Sequence, residues 1–203
     1  MPRVTPETTR KIFEDIENTR TKGMLLASKY VLEHRYDAAK DVFEKLLQLS
    51  PNDVEIMALH ANIYCVEGKL IEAENKLNQV LILDPNYPLA LYFLGFVYNA
   101  KGEYEKAINM YVTALKYFSE HEKMEKADTY QNLGCSLWEV KRREEAIEAW
   151  KTCLKYNPRK KYDCLPVHWA LAELSRTRKS LLLWFSPPNT TFHQEDDEEH
   201  RRI

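Results

Sequence analysis

Side chains that do chemistry are few in this 203-residue chain, and they are poorly grouped. Cys164 and His168 stand four apart, the spacing of one helical face, but two ligands do not complete a tetrahedral zinc site and Pro166 falls between them. His60 occupies an apolar helical position, where an imidazole reads as a partnered core residue rather than a general base. Cys65, Cys135, Cys153 and Cys164 lack the close pairing of a disulfide framework or a zinc knuckle, which points to a reducing compartment. Asn189, Thr190 and Thr191 have the form of a glycosylation sequon, yet residues 1–11 hold no apolar run that would act as a secretory leader. The glycine-rich phosphate loop, the zinc-protease helix and the strand-borne nucleophile turn are all missing from the sequence. The expectation is a protein without cofactor or metal that is not an enzyme.

Charge narrows the partners further. The formal net charge is −2, so no global field favours nucleic acid or an anionic membrane. No stretch approaches the ~20 apolar residues of a membrane span, and the expected location is cytoplasmic. Basic clusters at residues 141–143, 159–161 and 176–179 read as solvated surface, with docking of an acidic partner or of the acidic run 195–199 as the alternative. From Ser186 onward, paired prolines and that acidic run read as a disordered tail.

The order of this chain lies in its elements. Within residues 88–119, Leu91, Leu94, Gly95 and Tyr98 share one helical face, and Tyr104, Ala107, Tyr111, Ala114 and Leu115 share another, with a break at Gly102. Shifted back by 34 residues, the same positions read Met57, His60, Ala61, Tyr64, Gly68, Leu70, Ala73, Leu77, Val80 and Leu81. A second shift gives Gly23, Leu26, Ala27, Tyr30, His34, Tyr36, Ala39, Phe43, Leu46 and Leu47. Forward, after five extra residues, come Tyr130, Leu133, Gly134, Leu137, Ala146, Trp150, Cys153 and Leu154. One column is therefore Ala27, Ala61, Gly95 and Gly134, and another is Ala39, Ala73, Ala107 and Ala146. A mid-helix glycine costs about 1 kcal/mol against alanine, so the first column predicts a place where helix backbones nearly touch.

This spacing resembles the tetratricopeptide repeat, a 34-residue helix-turn-helix unit. The resemblance implies an all-α fold, a right-handed solenoid of four stacked hairpins sharing a continuous core. The expected layout is a capping helix over residues 1–19, repeats at 20–53, 54–87, 88–121 and 127–160, and an insertion at 122–126 that lengthens the helix after it. A capping helix at 161–185 and the tail 186–203 complete the chain. Thr5 with Pro6 marks the first helix start and Ile12, Phe13 and Ile16 its apolar stripe; Asp53 caps a helix, and Ser119 with Glu122 forms a capping box. Gly23, His60, Ser119 and Lys141 depart from the family pattern, and Gly23 leaves open whether the first helix is broken.

In that family, function lies on the inner wall lined by first helices. Carried over by position, the wall holds Met24 and Leu25, then Leu59 and Asn62, then Tyr92, Phe93, Phe96 and Asn99, and finally Gln131, Asn132 and Trp138. Phe93 and Phe96 are the expected anchors. Tyr92, Phe93 and Phe96 lie off the stripe that faces the paired helix, so a partner segment covers them, or neighbouring repeats bury them as core, or the chain's own end (Leu181 to Phe185) fills the groove. Some relatives clamp a C-terminal carboxylate with cations on this wall; the matching positions, such as Leu59, Asn62, Phe93 and Asn132, hold none. The expected partner is a protein or peptide, and the alternative is a structural subunit or self-associating chain whose groove stays filled.

Overall fold

The computed structural model describes residues 6–158, with side chains from residue 14 onward, and these belong to the first of two units, Met1–Lys160 and Lys161–Ile203. The expected features beyond them, including the C-terminal cap, the tail, the sequon and the Cys164–His168 pair, lie outside the described residues, as do Thr5 and the side chains of Ile12 and Phe13. Eight helices follow in order: α1 Pro6–Leu32, α2 Tyr36–Leu49, α3 Val54–Val66, α4 Leu70–Leu83, α5 Pro88–Ala100, α6 Tyr104–Tyr117, α7 Lys123–Glu139 and α8 Arg143–Tyr156. Successive helices pack as antiparallel pairs, and α5 also touches α3 and α7 across the repeats. The described residues form an all-α solenoid.

Each pair closes because a small side chain on its first helix receives a large one from its second. An added Cβ on Gly95 would lie 2.5 Å from the Tyr111 ring, and one on Gly134 would lie 2.3 Å from the Trp150 indole. Ala61 and Ala27 hold the same positions in repeats whose equivalent residues are the smaller Leu77 and Phe43, all four buried. The glycines thus make room for aromatic rings and not, as the column alone predicts, for a neighbouring backbone. Gly23 does the same for Leu46, whose side chain would lie 2.7 Å from its Cβ, and α1 runs through it unbroken for 27 residues. Leu26, expected on the paired face, is exposed, because α1 presents Ala27 and Met24 to the core instead.

The turns inside the four pairs share one hydrogen-bond pattern. At the end of α5 the Gly102 N–H donates to Asn99 O (2.9 Å) and the Glu103 N–H to Tyr98 O (2.8 Å); at the end of α7, Lys141 donates to Trp138 O (3.0 Å) and Arg142 to Leu137 O (2.9 Å). This is the Schellman closure, which needs a left-handed residue. Gly68 and Gly102 supply it at φ +75° and +76°, while His34 (57°) and Lys141 (65°) adopt it against the usual side-chain penalty. Lys141, a departure from the repeat pattern, therefore changes the cost of the turn and not its geometry.

Between repeats the joints vary. Asp53 accepts from the Ile56 N–H (3.1 Å) at the start of α3, as expected of a cap, and Arg20 reaches from α1 to Asp53 (2.7 Å) and Glu55 (2.5 Å). At the fourth repeat the expected capping box is half made: Glu122 Oε2 accepts from the Ser119 N–H (2.6 Å), but α7 starts only at Lys123. The inserted residues lengthen α7 at its front, to 17 residues against 13 in α3 and α5.

The fit of Gly95 to Tyr111 is open to a double-mutant cycle. Gly95→Ala should destabilise by about 1–3 kcal/mol in urea denaturation. Combining it with Tyr111→Leu, which rebuilds the Ala61–Leu77 pair, should cost less than the two single losses together by about 1 kcal/mol or more. Strict additivity would mean that ring and glycine are not a matched pair.

Candidate functional site

The first helices face two ways, toward the next repeat and toward the inner wall, and the predicted groove residues divide between these roles. Phe93 is only 8% exposed, packed into a core with Ala58, Ala61 and Cys65 of α3. It belongs chiefly to the seam between repeats, which corrects its assignment as a freely presented anchor. Phe96, one turn on, is 40% exposed. Tyr92 lies tilted against Phe93 (centroids 5.3 Å apart) and accepts a hydrogen bond from Asn132 Nδ2 (3.1 Å). Burial first, and then the Asp128 carboxylate, push the Tyr92 phenol up to about 12, so it remains a neutral hydroxyl.

Asn99 and Asn132 join α5 to α7. Asn99 Nδ2 donates to Ser136 Oγ (2.7 Å), and that hydroxyl donates on to Asn132 O (3.2 Å). These amides fasten one repeat to the next. Gln131 contributes its carbonyl, which accepts from the Trp150 indole N–H (3.1 Å). Trp138 packs on Trp150 (5.7 Å) and lies under the Arg143 guanidinium (4.9 Å). At the other end Met24 packs into the core of the first repeat, Leu59 bridges the first two cores, and Leu25 stands 74% exposed.

What remains of the wall is a cleft of ≈ 330 Å³ built by three first helices: Asn62 and Val66 from α3, Leu89, Tyr92, Phe93 and Phe96 from α5, and Glu125 and Asp128 from α7. Phe93 forms part of its lining, and Phe96 and Val66 (51% exposed) stand open beside it. Neither Val66, Leu89, Glu125 nor Asp128 was in the predicted set. Glu125 enters through the lengthened front of α7, which a carry-over from ungapped repeats does not see, whereas Asp128 stands within the repeat proper, at the position that Leu89 holds on α5. A larger depression of ≈ 440 Å³ lies among α6, α7 and α8, where Arg142 is bound to Glu145 through two hydrogen bonds of 2.7 and 2.6 Å and Glu148 accepts from Lys151 (2.6 Å).

The remaining chemical candidates resolve into packing. Among the described residues no group of three or more metal-ligating side chains is assembled, and no helix is long and apolar enough to cross a membrane. His60 is 4% exposed between Phe43 and Tyr64, as a core residue should be, but its Nε2 meets no hydrogen-bond partner among the described residues, contrary to the expected partnered imidazole. Desolvation, then the charges of Lys76 and Lys40, hold it at about 4. Cys65 is buried and its thiol is pushed up to about 11 by the same desolvation, which leaves it a poor nucleophile.

Tetratricopeptide repeat profiles match residues 24–53 and residues 86–156. The chain is similar to anaphase-promoting complex subunit 8 of Dictyostelium discoideum, 30% identical over 81 residues that make up 40% of this chain and 14% of that protein. It is also similar to TPR repeat-containing protein YpiA of Bacillus subtilis (strain 168), 29% identical over 122 residues, or 60% of this chain and 28% of the relative. The chain thus spans less than a third of either relative's length. Among solved structures, Pseudomonas aeruginosa PilF superposes with a TM-score of 0.70 at 19% identity, covering 80% of this chain and 72% of that one.

Two measurements test the burial described above. Phe93→Ala should destabilise by about 3–5 kcal/mol, as loss of a buried ring does, while Phe96→Ala should stay within about 1 kcal/mol of the parent in the same denaturation series. For His60 the unfolded imidazole takes up its proton near 6.5 and the folded one only near 4, so the unfolded state binds more protons between those values. Stability therefore falls as pH drops through that window, by on the order of 2–3 kcal/mol. His60→Leu should lose less stability than the parent between pH 7 and pH 4, and identical pH profiles would show that the imidazole does not titrate in this way.

Proposed function

We propose that this chain, which belongs to the tetratricopeptide-repeat family, is a non-catalytic protein-interaction scaffold that receives a partner segment in the cleft between α3, α5 and α7. The observation that carries this reading is Phe96: a large aromatic ring, 40% exposed, beside the exposed Val66 and over a cleft with room for one or two visiting side chains. Water against such a patch is displaced favourably when an apolar side chain covers it. The rings and amides around it are already held by Tyr92–Asn132 and Asn99–Ser136, so little ordering is required on binding.

A second reading is a subunit whose apolar surface is permanently covered in a larger assembly. It draws on a different patch, the exposed Leu25 and Leu32 on α1, and on the name of the Dictyostelium relative, a subunit of the anaphase-promoting complex.

Affinity capture with the full chain separates the two. Phe96→Glu should abolish the retained partner while leaving circular dichroism and melting unchanged, and Leu25→Glu should have no effect. Loss of partner with Leu25→Glu alone would favour the assembly reading.

A further inference from the structure

The wall around the cleft is sorted by charge. Helices α3 and α5 together carry a single charged side chain, Glu55, in their 13 residues each. On α7, Lys126 is buried and turned away, its ammonium bound to Glu120 (3.1 Å) and set over the Tyr156 ring. The charged residues that line the cleft are Glu125 and Asp128, and no lysine or arginine lines it among the described residues. The basic residues of the second and third repeats stand at turns and on second helices, where Lys69 binds Glu67, Lys101 binds Glu74, Lys106 binds Glu103 and Lys76 lies over the Tyr64 ring. Charges of one sign beside a low-dielectric floor focus their field into the opening.

We infer that the cleft selects a basic-apolar segment: a partner peptide in which a large apolar side chain is accompanied by a neighbouring lysine or arginine. This rests on the groove reading above and adds the chemistry of its occupant. The apolar residue covers Phe96 and Val66. The basic residue lays its methylene stem along the apolar wall and carries its charged head to the Glu125 and Asp128 side, the division of labour that long cationic side chains are built for. An acidic segment meets like charge there and loses affinity. Phe96 also offers a ring face to a cation.

The test is a selection of random peptides displayed on phage against the immobilised full-length chain, with every enriched clone recounted on Phe96→Glu. Clones lost on Phe96→Glu should be rich in lysine or arginine beside aromatic or aliphatic residues. Binding of the corresponding synthetic peptides should weaken as salt is raised and fall about tenfold on Glu125→Lys, with the fold unchanged by circular dichroism. Cleft-dependent clones that are neutral or acidic would overturn this inference and leave the groove reading standing. An absence of cleft-dependent clones would overturn both. A concentration-dependent dimer in light scattering that Phe96→Glu dissolves would place a second copy of the chain in the cleft, and would likewise overturn the basic-peptide occupant.

Discussion

The structure depends on a reciprocal fit of side-chain sizes between the two helices of each pair. Alanine meets phenylalanine or leucine in the first two repeats, and glycine meets tyrosine or tryptophan in the third and fourth. Helix pairs approach only as closely as the bulkiest contact allows. Reducing one side to hydrogen where the other carries an aromatic ring keeps the spacing of all four pairs compatible with stacking. The helix-propensity loss at a mid-helix glycine is about 1 kcal/mol, smaller than the loss from expelling a buried ring. That inequality explains why glycine appears in α5 and α7, opposite Tyr111 and Trp150.

Burying both the paired face and the repeat-to-repeat face of a first helix leaves little room for charge. Helices α3 and α5 are apolar nearly all round and carry no lysine or arginine, and the lysines of their repeats stand at turns and on second helices. Several lysines of this kind are held by carboxylates, Lys40 on α2 by Asp37 and Glu67, and Lys101 by Glu74. Partly buried pairs of this kind hold their cations away from the inner wall. The acidic character of the cleft follows from this segregation together with α7, whose lengthened front brings Glu125 to its edge beside Asp128.

The cleft is framed by polar contacts that leave its floor fixed. Asn132 holds the Tyr92 hydroxyl, and Asn99, Ser136 and the Asn132 carbonyl form a short chain of hydrogen bonds from α5 to α7. Amides that look in sequence like ligand-reading groups are thus spent on joining repeats, because a buried amide without a partner is costly. The surface left for a visitor is smaller than the row of wall positions implies, with Phe96 and Val66 open beside the cleft and two carboxylates in its lining.

The repeat length, the helix pairing, the turn positions and the all-α class were legible in the sequence, because a 34-residue period of small and large residues has few other physical solutions. The presence of an apolar inner wall around residues 92–96 was legible for the same reason: a helix with apolar residues on two faces has to cover both. Tertiary structure alone decided which aromatic ring goes where. Phe93 and Phe96 are three apart and alike in type, and only the lateral placement of α3 against α5 sends one into the seam and leaves the other open. Only the assembled helices show that Gly95 yields to a ring rather than to a backbone, that α1 crosses Gly23 without a break, and that the extra turn at the front of α7 delivers Glu125 to the cleft beside Asp128. Periodicity specifies which face of a helix is apolar; how far its neighbour slides along that face is set by the packing of side chains from both, which no single segment of sequence contains.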